Sequence, residues 1–248
     1  MADLLFEDAF LAGLYDVWHP RSARDDYDFY LPHIMRAEAV LDIGCGTGNL
    51  LHDARDRGHS GRLVGLDPAA GMLALARTRQ DIEWRHGDLA SAAWREAFDL
   101  VVMTGHAFQA VVADEDLAGL AGAVRQALRH GGRFAFETRH PDARAWDRWR
   151  PENFSIVTMP DGAKVRIETT VVAPFDGRTV SFVHSFSGDH ARLPLTSSST
   201  LRFLDPEAVA ALLESAGLEV EAQFGGFQGQ PLGPDSEEIV TFARRSRH

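Results

Sequence analysis

The run Val40-Leu41-Asp42-Ile43-Gly44-Cys45-Gly46-Thr47-Gly48-Asn49 decides the architecture. A short apolar stretch, Ala39 to Ile43, ends in three glycines at alternating positions, and Leu50 to Arg57 then resumes helical spacing before Gly58. That is strand, turn, helix. The pattern repeats outward: Arg62 to Leu66 reads as a strand, Ala69 to Arg79 as a helix, Ile82 to Arg85 and Phe98 to Met103 as strands. Leu117 to Arg129 is the next helix, ended by Gly131-Gly132, and Arg133 to Glu137 the next strand. Strands that alternate with helices imply a parallel sheet wound in both directions from its centre, an α/β doubly wound fold.

Flanking segments differ in texture. Leu4 to Tyr15 is an amphipathic helix with acids on its outer side, and Phe29 to Arg36 is helical around Pro32, so residues 1–37 form a helical cap before a core over 38–150. From Pro151 the period changes to two: Phe154 to Met159, Val165 to Val172, Val180 to Phe186 and Ser199 to Phe203 alternate, with turns at Pro160-Asp161-Gly162 and Asp176-Gly177. Residues 151–203 therefore read as an inserted antiparallel β subdomain. Residues 204–248 return to the core: Asp205-Pro206-Glu207 starts a helix that runs to Ser215 and stops at Gly217, and Leu218 to Phe224 and Glu238 to Ala243 are the last strands.

Composition excludes several function classes. Of 248 residues, Lys+Arg number 25 and Asp+Glu 36, a net charge of −11 that repels phosphate backbones and anionic lipid. Neither a nucleic acid nor a membrane is expected as partner. Cys45 is the sole cysteine, so no internal disulfide can form, and the acidic Met1 to Phe10 lacks the pattern of an export signal. No apolar run approaches the roughly 18 residues of a membrane-spanning helix. The expected location is cytoplasmic, as monomer or homodimer. The eleven His show no metal-ligand spacing, His184 and His190 being the closest approach to one, so no metal is expected.

Glycines at alternating positions let a ligand approach the backbone and leave amides facing it at a helix N-terminus. A dinucleotide fingerprint requires a sixth-position glycine, where Asn49 stands, and Asp42 at the lip of the turn repels phosphate but suits an ammonium. With these residues in place, the sequence resembles the class I methyltransferases that use S-adenosylmethionine, whose first motif is an acidic residue followed by Gly-x-Gly-x-Gly: Asp42, Gly44, Gly46 and Gly48 fit it without a gap. The resemblance covers residues 38 to 139 closely and the final helix and strands loosely. It implies a Rossmann-like, mostly parallel seven-stranded sheet with helices on both faces. It also implies S-adenosylmethionine as cofactor, S-adenosylhomocysteine as product, and a small-molecule methyl acceptor.

The resemblance assigns the turn residues Asp42, Gly44, Cys45, Gly46, Thr47, Gly48 and Asn49 to the cofactor. It assigns Asp67, at the end of the second strand, to both ribose hydroxyls, which a carboxylate accepts well. Pro68 and Met72 flank the adenine in that family, and Gly87, Asp88 and Leu89 meet its edge. Thr104, Gly105 and His106, past the fourth strand, present the methyl group. Tyr15 and Trp18 belong to a segment that in related enzymes folds over the cofactor, with Arg21 a weaker partner for the cofactor carboxylate. His106 is the candidate base or positioning group, with Tyr15 a second catalytic candidate, because histidine titrates near neutrality; Gln109 is placed to orient an acceptor. Cys45, a small residue inside the turn, receives no catalytic part.

Each residue has a plainer role open to it. The glycines also suit a tight corner, Asp67 and Asp88 suit helix caps, and Tyr15 and Trp18 suit ordinary aromatic packing. Acceptor recognition is expected from the β subdomain with Arg139, His140, Trp146 and Trp149, and Phe182, His184 and Phe186 share a strand face that is either pocket lining or core. The alternatives to a methyltransferase are a nicotinamide-dependent oxidoreductase and a non-catalytic module that binds the same cofactor.

Overall fold

A strand covered by helices on both sides buries both faces and reads as a continuous apolar run. In the computed structural model, which describes residues 3–246, β1 (Ala39–Ile43) is buried at every position and β4 (Phe98–Met103) at all but one. They lie side by side at the centre of a seven-stranded sheet ordered β10-β11-β5-β4-β1-β2-β3, with β2 (Arg62–Asp67), β3 (Glu83–His86), β5 (Leu128–Arg139), β10 (Leu218–Phe224) and β11 (Glu238–Arg245). β1 to β5 pair in parallel, whereas β11 runs antiparallel between β5 and β10. The expected doubly wound sheet is thus present. Its winding reverses between β1 and β4, and such a reversal opens a crevice at the carboxyl ends of the strands.

Helices cover both faces. On one, α7 (Asp114–Ala127) and α8 (Pro206–Ser215) bring Leu117, Val124, Val209 and Leu213 against Phe98, Val101, Phe134 and Phe136. On the other, α3 (Asp25–Ile34) and α4 (Asn49–Asp56) pack Tyr30, Ile34, Leu50 and Leu51 against Val40, Leu63, Leu100 and Val102. Burial of each such side chain contributes about 1.5–3 kcal/mol. A second sheet, β6 (Ser155–Thr158), β7 (Lys164–Ala173), β8 (Thr179–Gly188) and β9 (Leu195–Arg202), is antiparallel throughout and lies within the expected insertion.

The amphipathic N-terminal segment is two helices rather than one. Asp8 accepts from the N–H groups of Phe10 and Leu11, so it ends α1 (Leu4–Glu7) and caps α2 (Ala9–Trp18). The next helix begins at Asp25, earlier than the apolar pattern indicates, because Asp25, Asp26 and Asp28 fill its first turn, where the helix dipole favours acids. β5 also begins earlier: Leu128 pairs with Phe98 before the chain bulges through Gly131 and rejoins at Arg133. Similarly, the last insertion strand starts at Leu195, not Ser199.

The N-terminal helices join the two sheets. Leu5, Leu11 and Leu14 bury against Val165, Ile167 and Phe186, while the N–H of Leu5 donates to Ser197 Oγ. On the core side Glu7 accepts from the N–H of Ala70 at the start of α5 (Ala70–Ala76), and α5 approaches so closely that a Cβ on Gly71 would lie 2.3 Å from the Glu7 carbonyl oxygen. A Cβ on Gly13, in the middle of α2, meets nothing within 4 Å. Gly71→Ala is therefore expected to lower the melting temperature by roughly 3–10 °C through forced displacement of α1. Gly13→Ala is expected to leave it unchanged or raise it slightly. Differential scanning calorimetry of both variants checks this contrast, and equal effects would contradict it.

Candidate active site

β1 delivers Asp42 to the floor of the crevice and then turns through Gly44, Gly46 and Gly48, whose φ values are +69°, +55° and +81°. An L side chain is strained in that region, and at Gly44 a Cβ would also press to 2.8 Å from Ala107 Cβ. Four amides of this turn bond inside the protein and so do not face outward as expected. Gly44 and Cys45 donate to the carbonyl of Leu66, Gly46 donates to Asp67 Oδ2 at 2.8 Å, and Gly48 donates to the carbonyl of Cys45. The turn is thereby locked to the end of β2. Cys45 is buried and its thiol is pushed well above its usual pKa by burial, which suits packing and not nucleophilic chemistry.

Asp67 is held from two sides, by Gly46 N–H on Oδ2 and Ala69 N–H on Oδ1. A carboxylate has about four lone-pair directions, so each oxygen retains one. Burial raises its pKa. Pro68 is exposed beside it and Met72 is buried under it on α5. Asp88 caps the four-residue α6 (Leu89–Ala92) through Oδ1, leaving Oδ2 free, while Leu89 is buried and Gly87 supports the turn at φ +134°. Thr47 and Asn49 do not point into the crevice: both donate to Asp16 Oδ1 on α2, at 2.7 and 3.1 Å. Asp16 thus ties the N-terminal helices to the glycine turn, a residue the sequence reading missed because it lies on the polar side of an amphipathic helix.

Beyond β4 the chain passes Thr104 and Gly105 to His106, a non-glycine residue at φ +61°. A left-handed non-glycine costs roughly 1–3 kcal/mol and persists where its surroundings hold it. Here Glu137, fully buried at the end of β5, accepts the His106 N–H at 3.0 Å on one oxygen and the Tyr30 hydroxyl at 2.7 Å on the other. His106 Nε2 lies 2.9 Å from the Glu238 carboxylate at the start of β11, and Nδ1 has no hydrogen-bond partner among the described residues. Burial disfavours charge on both members, lowering the His106 pKa to about 3 and raising that of Glu238 to about 8. At neutral pH the contact is consequently a hydrogen-bonded pair sharing one proton rather than an ion pair. Glu137 and Glu238 were read from sequence as ordinary strand residues; a carboxylate at the carboxyl end of a buried parallel strand is the signal that marks the first of them.

The remaining walls are aromatic and basic. Tyr15 packs edge-on to Phe6 and beside His19, and Trp18 meets His184 edge-on at 5.1 Å. Burial lowers the pKa of both His19 and His184 to about 4, so these imidazoles are neutral. Arg24 is bound bidentately by Asp26 and lies over the Tyr27 ring, and its Nη2 is 3.3 Å from where a Gly105 Cβ would stand. Arg21 instead points outward to Asp28 and Asp53, and of the two arginines it is Arg24 that lies beside the turn after β4. Gln109 is 1 % exposed and braced between the carbonyl of Arg202 and Arg139, a structural bracket rather than an acceptor contact.

The acceptor-side residues separate in the same way. Trp146 is buried between Phe175 and Phe203, His140 caps the turn that follows β5, and Phe186 belongs to the core under α2. Arg139, Trp149, Phe182 and His184 form one cluster instead, with Arg139 Cζ 5.8 Å from the centre of the Trp149 ring, Trp149 4.6 Å from Phe182 and Phe182 5.0 Å from His184. On the outer side of Trp149 a groove of about 450 Å³ runs between Trp146, Arg144, Arg150 and Phe175. Among the described residues no group of three or more His, Cys, Asp or Glu is gathered for a metal, and no helix is long and apolar enough to cross a membrane.

A family model described as methyltransferase domain matches residues 40–132, the segment from β1 to the bulge of β5. A cypemycin N-terminal methyltransferase from Streptomyces sp is 25% identical over 217 residues, which is 83% of this chain and 82% of that protein. A solved S-adenosylmethionine-dependent methyltransferase from Clostridium acetobutylicum superposes with a TM-score of 0.75 at 18% identity, over 96% of this chain and 98% of that one. An amino pentose methyltransferase from Micromonospora echinaspora, solved with S-adenosylmethionine bound, gives 0.67 at 23% identity over 96% of both chains. At such identities the two structures speak for the fold. The motif, the family model over residues 40–132 and the cypemycin relative support a class I S-adenosylmethionine-dependent methyltransferase. The chain is a methyltransferase, and S-adenosylmethionine is its cofactor. The oxidoreductase and the non-catalytic module are not favoured.

The residues present fit that cofactor. Asp42 is 1 % exposed and its Oδ1 is buried without a hydrogen-bond partner, an acid awaiting a cationic or hydrogen-bonding ligand. Burial, and after it the charge of Asp67, push its pKa well above the ordinary value. In the cofactor-free protein its ionised form is therefore a destabilising feature, absent where the acid is protonated and growing as pH rises past the ordinary carboxylate range. Asp42→Asn is expected to raise the melting temperature of the cofactor-free protein at pH 8 by about 2–6 °C. The same change is expected to weaken S-adenosylhomocysteine binding by at least about tenfold. Thermal melts and calorimetric titration check the pair, and unchanged affinity would contradict it.

Proposed function

We propose that this enzyme methylates a nitrogen or oxygen atom of a small-molecule acceptor held between the carboxyl edge of the core sheet and the inserted sheet, with His106 as the proton acceptor. The observation that carries this reading is the His106–Glu238 pair beyond the tip of β4, partly buried, with His106 strained and its Nδ1 unpartnered among the described residues. The names of two relatives point to amine acceptors, the cypemycin N-terminus and an amino pentose. A net charge of −11 argues against a nucleic acid.

Asp67 would hold the ribose hydroxyls, Pro68 and Met72 the faces of the adenine, and Asp88 and Leu89 its edge. Gly44 to Gly48 would leave room for the backbone to approach, Asp42 would answer the cationic end, and Arg24 with Tyr15 would meet the methionine part. Bound S-adenosylmethionine supplies an electrophilic methyl group on a sulfonium. The protein's part is alignment, exclusion of water and removal of one proton. Thr104, Gly105 and His106 form the wall nearest the acceptor, and Trp18 closes the side toward the inserted sheet. While Glu238 keeps its proton it donates to Nε2, and the neutral imidazole carries its own proton on Nδ1. Once Glu238 ionises, Nε2–H donates to the carboxylate and the Nδ1 lone pair becomes free to take the proton of the acceptor.

The rate should therefore rise with pH through about 8, where Glu238 ionises. Purified enzyme with S-adenosylmethionine and a panel of small amines, phenols and hydroxy acids, read by a mass gain of one methyl, tests the reaction. On an acceptor so found, Glu238→Gln is expected to lower kcat by roughly 10²–10⁴-fold and abolish that rising limb, with little change in cofactor affinity. A variant with the wild-type rate and pH profile would contradict the assignment.

A further inference from the structure

Arg139 closes β5 directly opposite Glu238 in the register of β5 with β11. Its side chain is half-buried, and Nη1 donates to Gln109 Oε1 at 3.2 Å, the oxygen that also accepts the Arg139 backbone N–H. A neutral amide thus fixes the direction of the guanidinium. Nε and Nη2 have no hydrogen-bond partner among the described residues, and no carboxylate there forms an ion pair with the side chain. Other shielded arginines differ: Arg24 has Asp26, Arg202 has Asp114 and Arg245 has Glu96.

The nearby acids are committed elsewhere. Glu137, two residues back on the same face of the strand, is used by Tyr30 and the His106 N–H, and Glu238 by His106 Nε2. Desolvation lowers the Arg139 pKa, yet a guanidinium stays charged at any pH where the protein is folded. A cation held in a shielded place without an anion is costly, and its open fork matches two oxygens of a carboxylate or phosphate. The Trp149 ring, its centroid 5.8 Å from Cζ, supplies a flat wall beside that fork.

We propose that Arg139 is the anchor for an anionic group of the acceptor, a carboxylate or a phosphate, which docks against the guanidinium with Trp149 at its side. This rests on the methyl-transfer reading above and makes it narrower: the acceptor carries an oxyanion on one part and its nucleophilic nitrogen or oxygen on another, the first at Arg139 and the second at His106. Selectivity for acidic acceptors then comes from one half-buried cation, which an uncharged acceptor would leave unpaired.

The test titrates the protein with sodium malonate and, separately, inorganic phosphate, following tryptophan fluorescence, to which Trp149 reports locally. Titrations run with and without saturating S-adenosylhomocysteine. Saturable binding of either anion is expected, and which one binds distinguishes a carboxylate acceptor from a phosphorylated one. Arg139→Gln should weaken that binding by at least about tenfold, whereas Arg139→Lys, which keeps the charge but not the fork, should retain part of it. Both variants should bind S-adenosylhomocysteine as the wild type does, which also shows that they fold. Absence of binding by both anions overturns the proposal, as does undiminished binding in Arg139→Gln. Loss of S-adenosylhomocysteine binding in folded Arg139→Gln also overturns it, by giving the guanidinium to the cofactor. If the wild type fails to bind S-adenosylhomocysteine at all, the methyl-transfer reading falls, and the cofactor-free titrations still decide whether Arg139 holds an anion.

Discussion

Two charges that the protein does not neutralise organise the site. Asp42 ends β1 with a buried oxygen that nothing in the chain satisfies, and Arg139 ends β5 with a guanidinium held by a single amide oxygen. Between them, just beyond the intervening β4, stands His106, paired with Glu238 at the start of β11 on the other side of β5. An interior that leaves opposite charges open at its two ends is poorly stabilised alone and complementary to ligands that bring the missing partners. On our proposals the cationic end of the cofactor answers Asp42 and an anionic acceptor answers Arg139. The proton-accepting group stands between, where the two ligands would meet.

These positions depend on the N-terminal helices as much as on the sheet. The inserted sheet reaches the core through α1 and α2, which pack on Val165, Ile167 and Phe186 on one side and on α5 on the other. A second attachment comes from Arg202 of β9, bonded to the carbonyl of Val112 and to Asp114. Asp16 then binds α2 to the glycine turn through Thr47 and Asn49. A helix pair wedged in this way makes the inserted sheet and the cofactor turn mechanically continuous. Residues with no part in chemistry, Gly71 foremost, therefore control the geometry of those that have one.

Much of the fold was legible because its signals are local. The apolar runs of β1 and β4, the glycines after β1 and the change of period at Pro151 each mark an element without reference to the rest of the chain. Boundaries failed where side chains override pattern, as when Asp8 splits one expected helix and three acids draw α3 back to Asp25. The site was legible only in part for a related reason. Asp42, Asp67 and His106 lie at or just beyond the carboxyl ends of strands and can be found by position, but Asp16, Glu137 and Glu238 act through partners far away in sequence. Glu238 lies 132 residues from His106, and no spacing rule connects them. Arg21 and Gln109 were misplaced because a polar residue near a site cannot be told from one bonded away from it until its partners are known.

The measurement that bears most directly on this account is calorimetric titration of the purified protein with S-adenosylhomocysteine, with a nicotinamide dinucleotide as control and Asp67→Ala as the comparison. The account predicts saturable one-site binding of S-adenosylhomocysteine, no saturable heat from the dinucleotide, and at least about tenfold weaker binding in a folded Asp67→Ala protein. Saturation of the site by the dinucleotide, or wild-type affinity for S-adenosylhomocysteine in Asp67→Ala, would contradict it.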